Sequence, residues 1–387
     1  MAMTNIKLDK NHFDGYFDLS IYAFNKTVSA ERKSFFKKLY DHSSDWGSIE
    51  SGQVVSGVIN TSFMTNFHGA SFKMGGIGYV ASYPEFAGQG SIGQLMNLAL
   101  DEMYQDGTTL SYLAPFSYPF YRKFGYEATF DQTVYRMNAK DLPRLKVKAI
   151  GHVERHPYSE VKNDLNEIYK KNQLSQQGGI ERAEWWLTYS AEKHPNWETA
   201  VYYNEANELE GYLVYQREAD EFKIVEWVYQ TSESWLQLQN FVIKHQSAYE
   251  WFSYESPIGQ PLPDLLANPQ VDVKIKPYMM ARIVNVADFL TRYPYQHDFD
   301  AIVIQVKDTN IADNEGQWQV SHINGQTTVE KITDKEPTLV TDVQNLTRSM
   351  MGYRTMKQLK QYGFLSGDIT AFDRALIKDQ PILSDYF

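Results

Sequence analysis

A chain of 387 residues is longer than one hydrophobic core usually organises, so the sequence asks for two or three domains. With 37 Lys and Arg against 48 Asp and Glu, its formal net charge of -11 opposes a nucleic-acid partner and suits a cationic small substrate. It holds no cysteine, which excludes disulfides, thiolate nucleophiles and Cys-ligated zinc. Charges interrupt MAMTNIKLDKNHFDGYF where a leader peptide needs an apolar run, and no stretch approaches the roughly 20 apolar residues of a membrane span. A soluble cytoplasmic protein is expected, without nucleic-acid or membrane partners.

In chain order, a short strand at residues 5–8 precedes predicted helices at 13–25 and 30–41, the second carrying Phe35, Phe36, Leu39 and Tyr40 at helical spacing. GQVVSGVINTSFM and MGGIGYVASY read as strands, parted by the turn-like Asn66-Phe67-His68-Gly69. Residues 91–105 form an amphipathic helix with Ile92, Leu95, Met96, Ala99 and Met103 on one face, ended by Asp106-Gly107. A strand at 109–113, a short helix at 117–124 and a strand at 126–137 complete a mixed α/β unit that closes near residue 150. Residues 151–285 repeat the style without a glycine loop. They contain helices at 159–172 and 182–190, antiparallel strands in YYNEANELEGYLVYQ and FKIVEWVYQ, and a helix at 232–245. Pro257, Pro261, Pro263 and Pro269 mark a loop region before a strand at 278–284. A third unit begins near residue 286, with strands at 301–307, 316–323 and 327–332 and helices near 341–350, 356–362 and 368–377.

The segment Pro84-Glu85-Phe86-Ala87-Gly88-Gln89-Gly90-Ser91-Ile92-Gly93 lies between a strand and a helix. Glycines there let backbone N–H groups approach an anion at the helix N-terminus, so the order fits a pyrophosphate cradle. It is neither the dinucleotide GxGxxG pattern nor a P-loop. Three glycines in six residues also suit a purely structural turn.

The neighbouring text, IGYVASYPEFAGQGSIGQLMNLALDEM and then LSYLAPFSYPFYRKFGYE, resembles the GCN5-related N-acetyltransferases, which join a strand, a Q/R-x-x-G-x-G/A loop, a helix and a later Tyr-x-x-x-Gly-Phe/Tyr. RSMMGYRTMKQLKQYGFLSGD, the junction MMARIVNVADFL and the ending PILSDYF narrow the resemblance to the enhanced intracellular survival (Eis) type over the whole chain. That resemblance implies an α/β (α+β) fold: an acetyl-CoA-binding acetyltransferase domain at 1–150, a degenerate second one at 151–285 and a sterol-carrier-protein-like domain at 286–387. It also implies a homo-oligomer, a hexamer. Acetyl-CoA would be the co-substrate, with Val80, Ala81 and Ser82 on the pantetheine arm, Gly88, Gln89, Gly90, Ser91, Ile92 and Gly93 on the pyrophosphate, and Phe116 and Ser117 as a further contact. Ala87, Ile92 and Phe116 depart from the usual Gln or Arg, Gly or Ala, and Ser.

Acetyl transfer to an amine needs a base for the amine proton and an acid for the leaving thiolate. Tyr121 matches the family's acid, and a phenol is protonated at neutral pH. Met74-Gly75-Gly76-Ile77-Gly78-Tyr79-Val80 offers no carboxylate, and the resemblance implies the terminal carboxylate of Phe387 instead. A packed helical Tyr and a frayed tail are the plain alternatives. Phe24, Phe35, Phe36 and Trp46 are candidate walls for an amine acceptor, a polyamine, aminoglycoside-like compound or lysine side chain, although core packing explains them too. His68 reads as a turn residue. His152 and His156, four apart but followed by Pro157, do not make a metal site, and none is expected. The rival function is a non-catalytic protein sequestering a small hydrophobic or cationic ligand.

Overall fold

The structure, a computed structural model, describes residues 3–143, 147–259 and 271–387. Pro261, Pro263 and Pro269 of the expected loop region lie outside them. The described strands are β1 (Thr4–Lys7), β2 (Ser43–Glu50), β3 (Gln53–Phe67), β4 (Ala70–Ser82), β5 (Leu110–Leu113), β6 (Glu127–Asn138), β7 (His152–Pro157), β8 (Gln177–Ile180), β9 (Glu198–Tyr203), β10 (Leu209–Arg217), β11 (Glu221–Tyr229), β12 (Trp251–Ser256), β13 (Val273–Ile283), β14 (Phe299–Lys307), β15 (Gly316–Ile323), β16 (Gln326–Ile332), β17 (Leu339–Asp342) and β18 (Ser366–Gly367). The helices are α1 (Phe13–Ala23), α2 (Ala30–Asp41), α3 (Ser91–Gln105), α4 (Tyr118–Arg122), α5 (Tyr158–Tyr169), α6 (Gln173–Gln176), α7 (Glu184–Lys193), α8 (Ser232–Ile243), α9 (Val286–Arg292), α10 (Val343–Met350), α11 (Met356–Gln361) and α12 (Thr370–Ala375).

The chain divides into two compact units, one of Met1–Phe130, Tyr278–Pro381 and Asp385–Phe387, the other of Asp131–Pro277 and Ile382–Ser384. In the first, β1, β2, β3 and β4 pair antiparallel in sequence, β5 joins β4 in parallel, residues 280–283 of β13 join β5 antiparallel, and β6 follows β13 in the order. Successive strand residues face opposite ways. Gly57 of β3 backs onto Tyr16 of α1, while Val58 enters the cluster around Leu95, Met96, Ala99 and Met103 of α3. Thus α1 and α2 cover one face and α3 the other. A second sheet, β16-β15-β14-β17-β18, carries α9 to α12.

Arg282 of β13 is wholly buried and would be costly there alone. Its guanidinium donates to Asp308 Oδ2 at 2.6 Å and to the Phe124 carbonyl at 2.6 Å, so one buried cation ties the second sheet to the turn after α4. Asn314 donates to the same carboxylate oxygen at 2.8 Å.

In the second unit the order β12-β11-β10-β9-β7 extends from residues 133–138 of β6. Leu213 and Tyr215 pack with Leu238 and Val242 of α8, while Tyr212 and Val214 pack with Leu165 and Tyr169 of α5. That alternation makes both faces of β10 core.

Most predicted elements lie within a few residues of the observed ones. The exceptions are β2, β7, β8, β12, β17, β18, α6 and α9, which sequence periodicity did not reveal, and YYNEANELEGYLVYQ, which reads as one strand but holds the end of β9, a turn and most of β10. In β2, SSDWGSIE, Gly47 leaves room for Leu8, since a Cβ there would lie 2.8 Å from Leu8 Cδ1. Asp45 of the same strand is only 3% exposed, and its Oδ1 has no hydrogen-bond partner among the described residues. Burial, more than any other influence, pushes its carboxyl well above the usual range.

Folding therefore takes up a proton at Asp45, and the fold loses stability as pH rises above the ordinary carboxylate pKa, by up to ~1.4 kcal/mol per pH unit until the raised pKa is reached. Asp45→Asn carries no such cost. Denaturant unfolding should show this variant gaining on the parent as pH is raised from 5 to 8; a pH-independent difference would contradict the assignment.

Candidate active site

The loop between β4 and α3 is shaped by its own backbone. Phe86 and Ala87 spend their N–H groups on Tyr83 and Pro84 carbonyls at 3.0 and 3.2 Å, and the Gln89 amide donates to the Glu85 carbonyl at 3.1 Å. Gly88 and Gly90 then adopt left-handed φ values of 78° and 82°, with open space where a Cβ would stand. Such backbone is natural only to glycine. Gly90 caps α3 without any side-chain hydrogen bond, so the amides of Ser91, Ile92 and Gly93 open the helix with no carbonyl behind them. An acetyl-CoA pyrophosphate needs that set of converging donors, and the loop fits it. Ile92 packs its side chain on the α3 core and Ser91 bonds Ser48, so both face inward and leave the backbone to do the binding. Ile92 in place of the usual small residue is thereby accommodated.

Beside the loop, β4 carries a bulge. The pairs Gly57↔Ala81 and Ile59↔Gly78 place Tyr79 and Val80 together opposite Val58, and Tyr79 takes a left-handed φ of 48°. The ladder with β5 stops at Ile77↔Leu113, so Val80, Ala81 and Ser82 lie beyond it. This is the splayed geometry that an extended pantetheine arm would follow.

Tyr121 sits on α4, opened by Ser117, whose hydroxyl accepts from Phe120 N at 3.4 Å. Its ring is 2% exposed against Phe116 and Phe120, at 5.1 and 5.2 Å between centroids. Burial first, then Tyr126 and Tyr386, push its hydroxyl far above the ordinary phenol range, which keeps the proton on it. Phe116 is 68% exposed at the mouth of this cluster.

The C-terminus is seated on β4. A Cβ at Gly76 would lie 2.8 Å from the Phe387 ring and 2.9 Å from Phe63, and one at Gly78 would lie 3.2 Å from the Phe387 carboxyl carbon. Phe387 is 5% exposed and packs 5.1 Å from Phe63. The Tyr278 hydroxyl donates to the Asp385 carbonyl at 3.1 Å. Burying the terminal ring contributes about 2 kcal/mol, enough to hold a tail that would otherwise fray. Gly76 and Gly78 thus make room on β4 for Phe387, while Gly75 faces Met103 and Asn60 on the other side.

Of the aromatic residues expected around an acceptor, Phe24 and Phe36 both meet Tyr79, at 5.5 and 5.0 Å between centroids. Phe35 lies buried under Arg32, 5.6 Å from its ring. Trp46 stands apart, packed against the α3 core with its indole N–H donating to Glu102 at 2.6 Å. His68 occupies the β3–β4 turn, and His152 and His156 lie on the strand β7, each beside Glu154. Among the described residues no group of three or more His, Asp or Glu is placed to hold a metal, and no helix is long and apolar enough to cross a membrane.

Residues 5–129 match an acetyltransferase (GNAT) domain family, residues 178–283 a further acetyltransferase (GNAT) domain family, and residues 286–384 a sterol carrier protein domain family. A conserved protein of unknown function from Enterococcus faecalis V583, described as a probable N-acyltransferase, is 38% identical, with 100% of both chains covered and a TM-score of 0.95. The chain belongs to the GCN5-related N-acetyltransferases. A GCN5-related N-acetyltransferase from Anabaena variabilis ATCC 29413 and Eis1 from Mycobacterium abscessus are each 20% identical over 100% of both chains, with TM-scores of 0.85 and 0.81, and share its fold. Curated proteins give no match. As a GCN5-related N-acetyltransferase it is an acetyl-CoA-dependent acyltransferase with two tandem acetyltransferase domains and a sterol-carrier-like domain. Its two acetyltransferase domains differ where an anion would bind. In the second, α8 starts at Thr231, whose hydroxyl accepts from Ser234 N at 3.1 Å in a reciprocal capping box. That side chain fills the place that stands without a side-chain cap at α3.

Two substitutions separate the two parts of this site. Gly90→Ala strains a left-handed position by about 1 kcal/mol and should weaken acetyl-CoA binding about fivefold by calorimetry. Gly76→Ala should dislodge Phe387, lowering the acetylation rate at least ~10-fold with acetyl-CoA affinity unchanged. Equal effects on binding and rate in both variants would contradict the division.

Proposed function

We propose that this enzyme moves the acetyl group of acetyl-CoA to the amine of a small cationic or lysine-like acceptor, with Tyr121 as general acid and the Phe387 terminal carboxylate as general base. The observation that carries the reading is the seat of Phe387 on Gly76 and Gly78, beside the strand that would hold the thioester. In this reading residues 1–150 hold the cofactor, residues 286–387 supply the base, and residues 151–285 form a degenerate acetyltransferase domain.

Acetyl-CoA supplies an activated acetyl thioester. The backbone of residues 88–93 holds its pyrophosphate, Val80, Ala81 and Ser82 its pantetheine arm, and Phe116 and Ser117 flank the reacting end. As the amine nitrogen bonds to the carbonyl carbon, the Phe387 carboxylate takes the amine proton. The C–S bond breaks and the Tyr121 hydroxyl donates its proton to the sulfur; exchange with solvent returns a proton from Phe387 to Tyr121. Burial supports Tyr121 in this role by keeping it protonated up to strongly alkaline pH.

A cationic acceptor suits the surroundings. Tyr22 and Tyr83 pair 5.3 Å apart, and Asp18 and Glu85 add to the burial that raises the Tyr83 hydroxyl. Phe24, 41% exposed, and Tyr79 offer ring faces to an ammonium or its carbon stem.

Screening a panel of amines with CoA release as readout should show turnover with polyamines or lysine-like amines and none with neutral alcohols. Tyr121→Phe, and separately deletion of Phe387, should each lower the rate about 100-fold or more while acetyl-CoA affinity stays within about twofold. Full activity of the deletion would exclude the terminal carboxylate as base. Tight amine binding without CoA release would favour a sequestering protein.

A further inference from the structure

We propose that Tyr16 is a positioning residue of this enzyme: its hydroxyl fixes the Tyr79 carbonyl and thereby sets the β4 bulge that separates the Phe387 seat from the Val80, Ala81 and Ser82 backbone. The inference rests on the reading that this backbone holds the pantetheine arm.

An aromatic L-residue in left-handed backbone is disfavoured, because its Cβ crowds the following carbonyl, and it persists only where neighbours hold it. Tyr79, with φ 48°, is such a residue. The Tyr16 hydroxyl donates to its carbonyl oxygen at 3.0 Å. Tyr16 is itself held rigidly. It is 0% exposed, its ring fills the space that a Cβ at Gly57 would need, and Phe36 and Tyr40 lie 6.3 Å from it. Its hydroxyl is therefore delivered to one place by a fixed ring on a fixed helix.

What that bond controls is set by the order of residues along β4. Gly78, immediately before Tyr79, lies against the Phe387 carboxyl, and Val80, immediately after, lies beyond the end of the β5 ladder and begins the backbone assigned to the pantetheine arm. The Tyr79 ring turns toward Phe24 and Phe36. Rotating the peptide that follows Tyr79 would turn the Val80 N–H away from its present direction, since carbonyl and N–H belong to one rigid plane. One hydrogen bond thus orients the first backbone donor of the pantetheine strand.

Tyr40 provides an internal control. It lies in the same aromatic layer, 5.4 Å from Phe13, and its hydroxyl donates to the Asp9 carbonyl at 2.8 Å, away from the bulge. Tyr16→Phe and Tyr40→Phe each remove one hydroxyl hydrogen bond and keep the ring, so their melting temperatures should fall by similar amounts. Acetyl-CoA affinity of the full chain, measured by calorimetry with no amine present, should fall roughly tenfold in Tyr16→Phe and less than twofold in Tyr40→Phe. Unchanged affinity in Tyr16→Phe, or equal losses in both, would overturn the proposal. Because no acceptor enters this measurement, an error in the acceptor or in the base leaves its outcome unaffected. If Gly90→Ala weakens binding while Tyr16→Phe does not, the pyrophosphate loop stands and the role of Tyr16 falls.

Discussion

Two absent Cβ atoms, at Gly76 and Gly78, allow Phe387 to lie on a β-strand. Alternate residues of a strand share a face, so this spacing clears a continuous groove on the side of β4 opposite α3. The Phe387 ring enters it at Gly76 and the carboxyl reaches Gly78. Glycine in a strand interior ordinarily weakens it; here the loss is offset by the buried ring of Phe387. Tyr121 and the α3 loop belong to the opposite side of the same strand, reached where β4 parts from β5.

That arrangement needs the sterol-carrier-like part to hold its place, and the buried Arg282 and Asp308 pair supplies a reason. An ion pair with 0% exposure adds little net stability over an apolar alternative, but it tolerates no loose geometry, since a displaced partner leaves a bare charge in the core. Arg282 also holds the Phe124 carbonyl, and a Cβ at Gly125 would lie 2.7 Å from its guanidinium. The glycine of the Tyr-x-x-x-Gly-Tyr motif is thus a matter of close approach by a buried cation, as well as of its φ of 78°.

Much of this was legible in the sequence for local reasons. The helix at residues 91–105 was read to its ends because Leu95, Met96, Ala99 and Met103 repeat on one face and Gly90 and Asp106 bracket it. The β3–β4 hairpin was visible in Asn66-Phe67-His68-Gly69, where the Asn66 side chain accepts from Gly69 N at 2.9 Å. Strand β2 was missed because burial there falls on Asp45 and Ser48, polar residues that periodicity counts as exposed. The seat of Phe387, the pair Arg282 and Asp308, and the Tyr16 bond to Tyr79 join residues far apart in the chain, and no local pattern records such encounters. Resemblance singled out Phe387; Tyr16, one of 27 Tyr, had nothing to distinguish it.

In the proposed mechanism the group seated at Gly78 acts as a base because it is a carboxylate. Replacing the terminal carboxylate of Phe387 by a carboxamide through semisynthesis keeps the ring, the backbone and the shape of the group and removes only its charge and basicity. Measured in single turnover at saturating acetyl-CoA, acetyl transfer should slow by at least about 100-fold with acetyl-CoA affinity unchanged. A carboxamide enzyme that transfers acetyl at the parent rate would contradict the account.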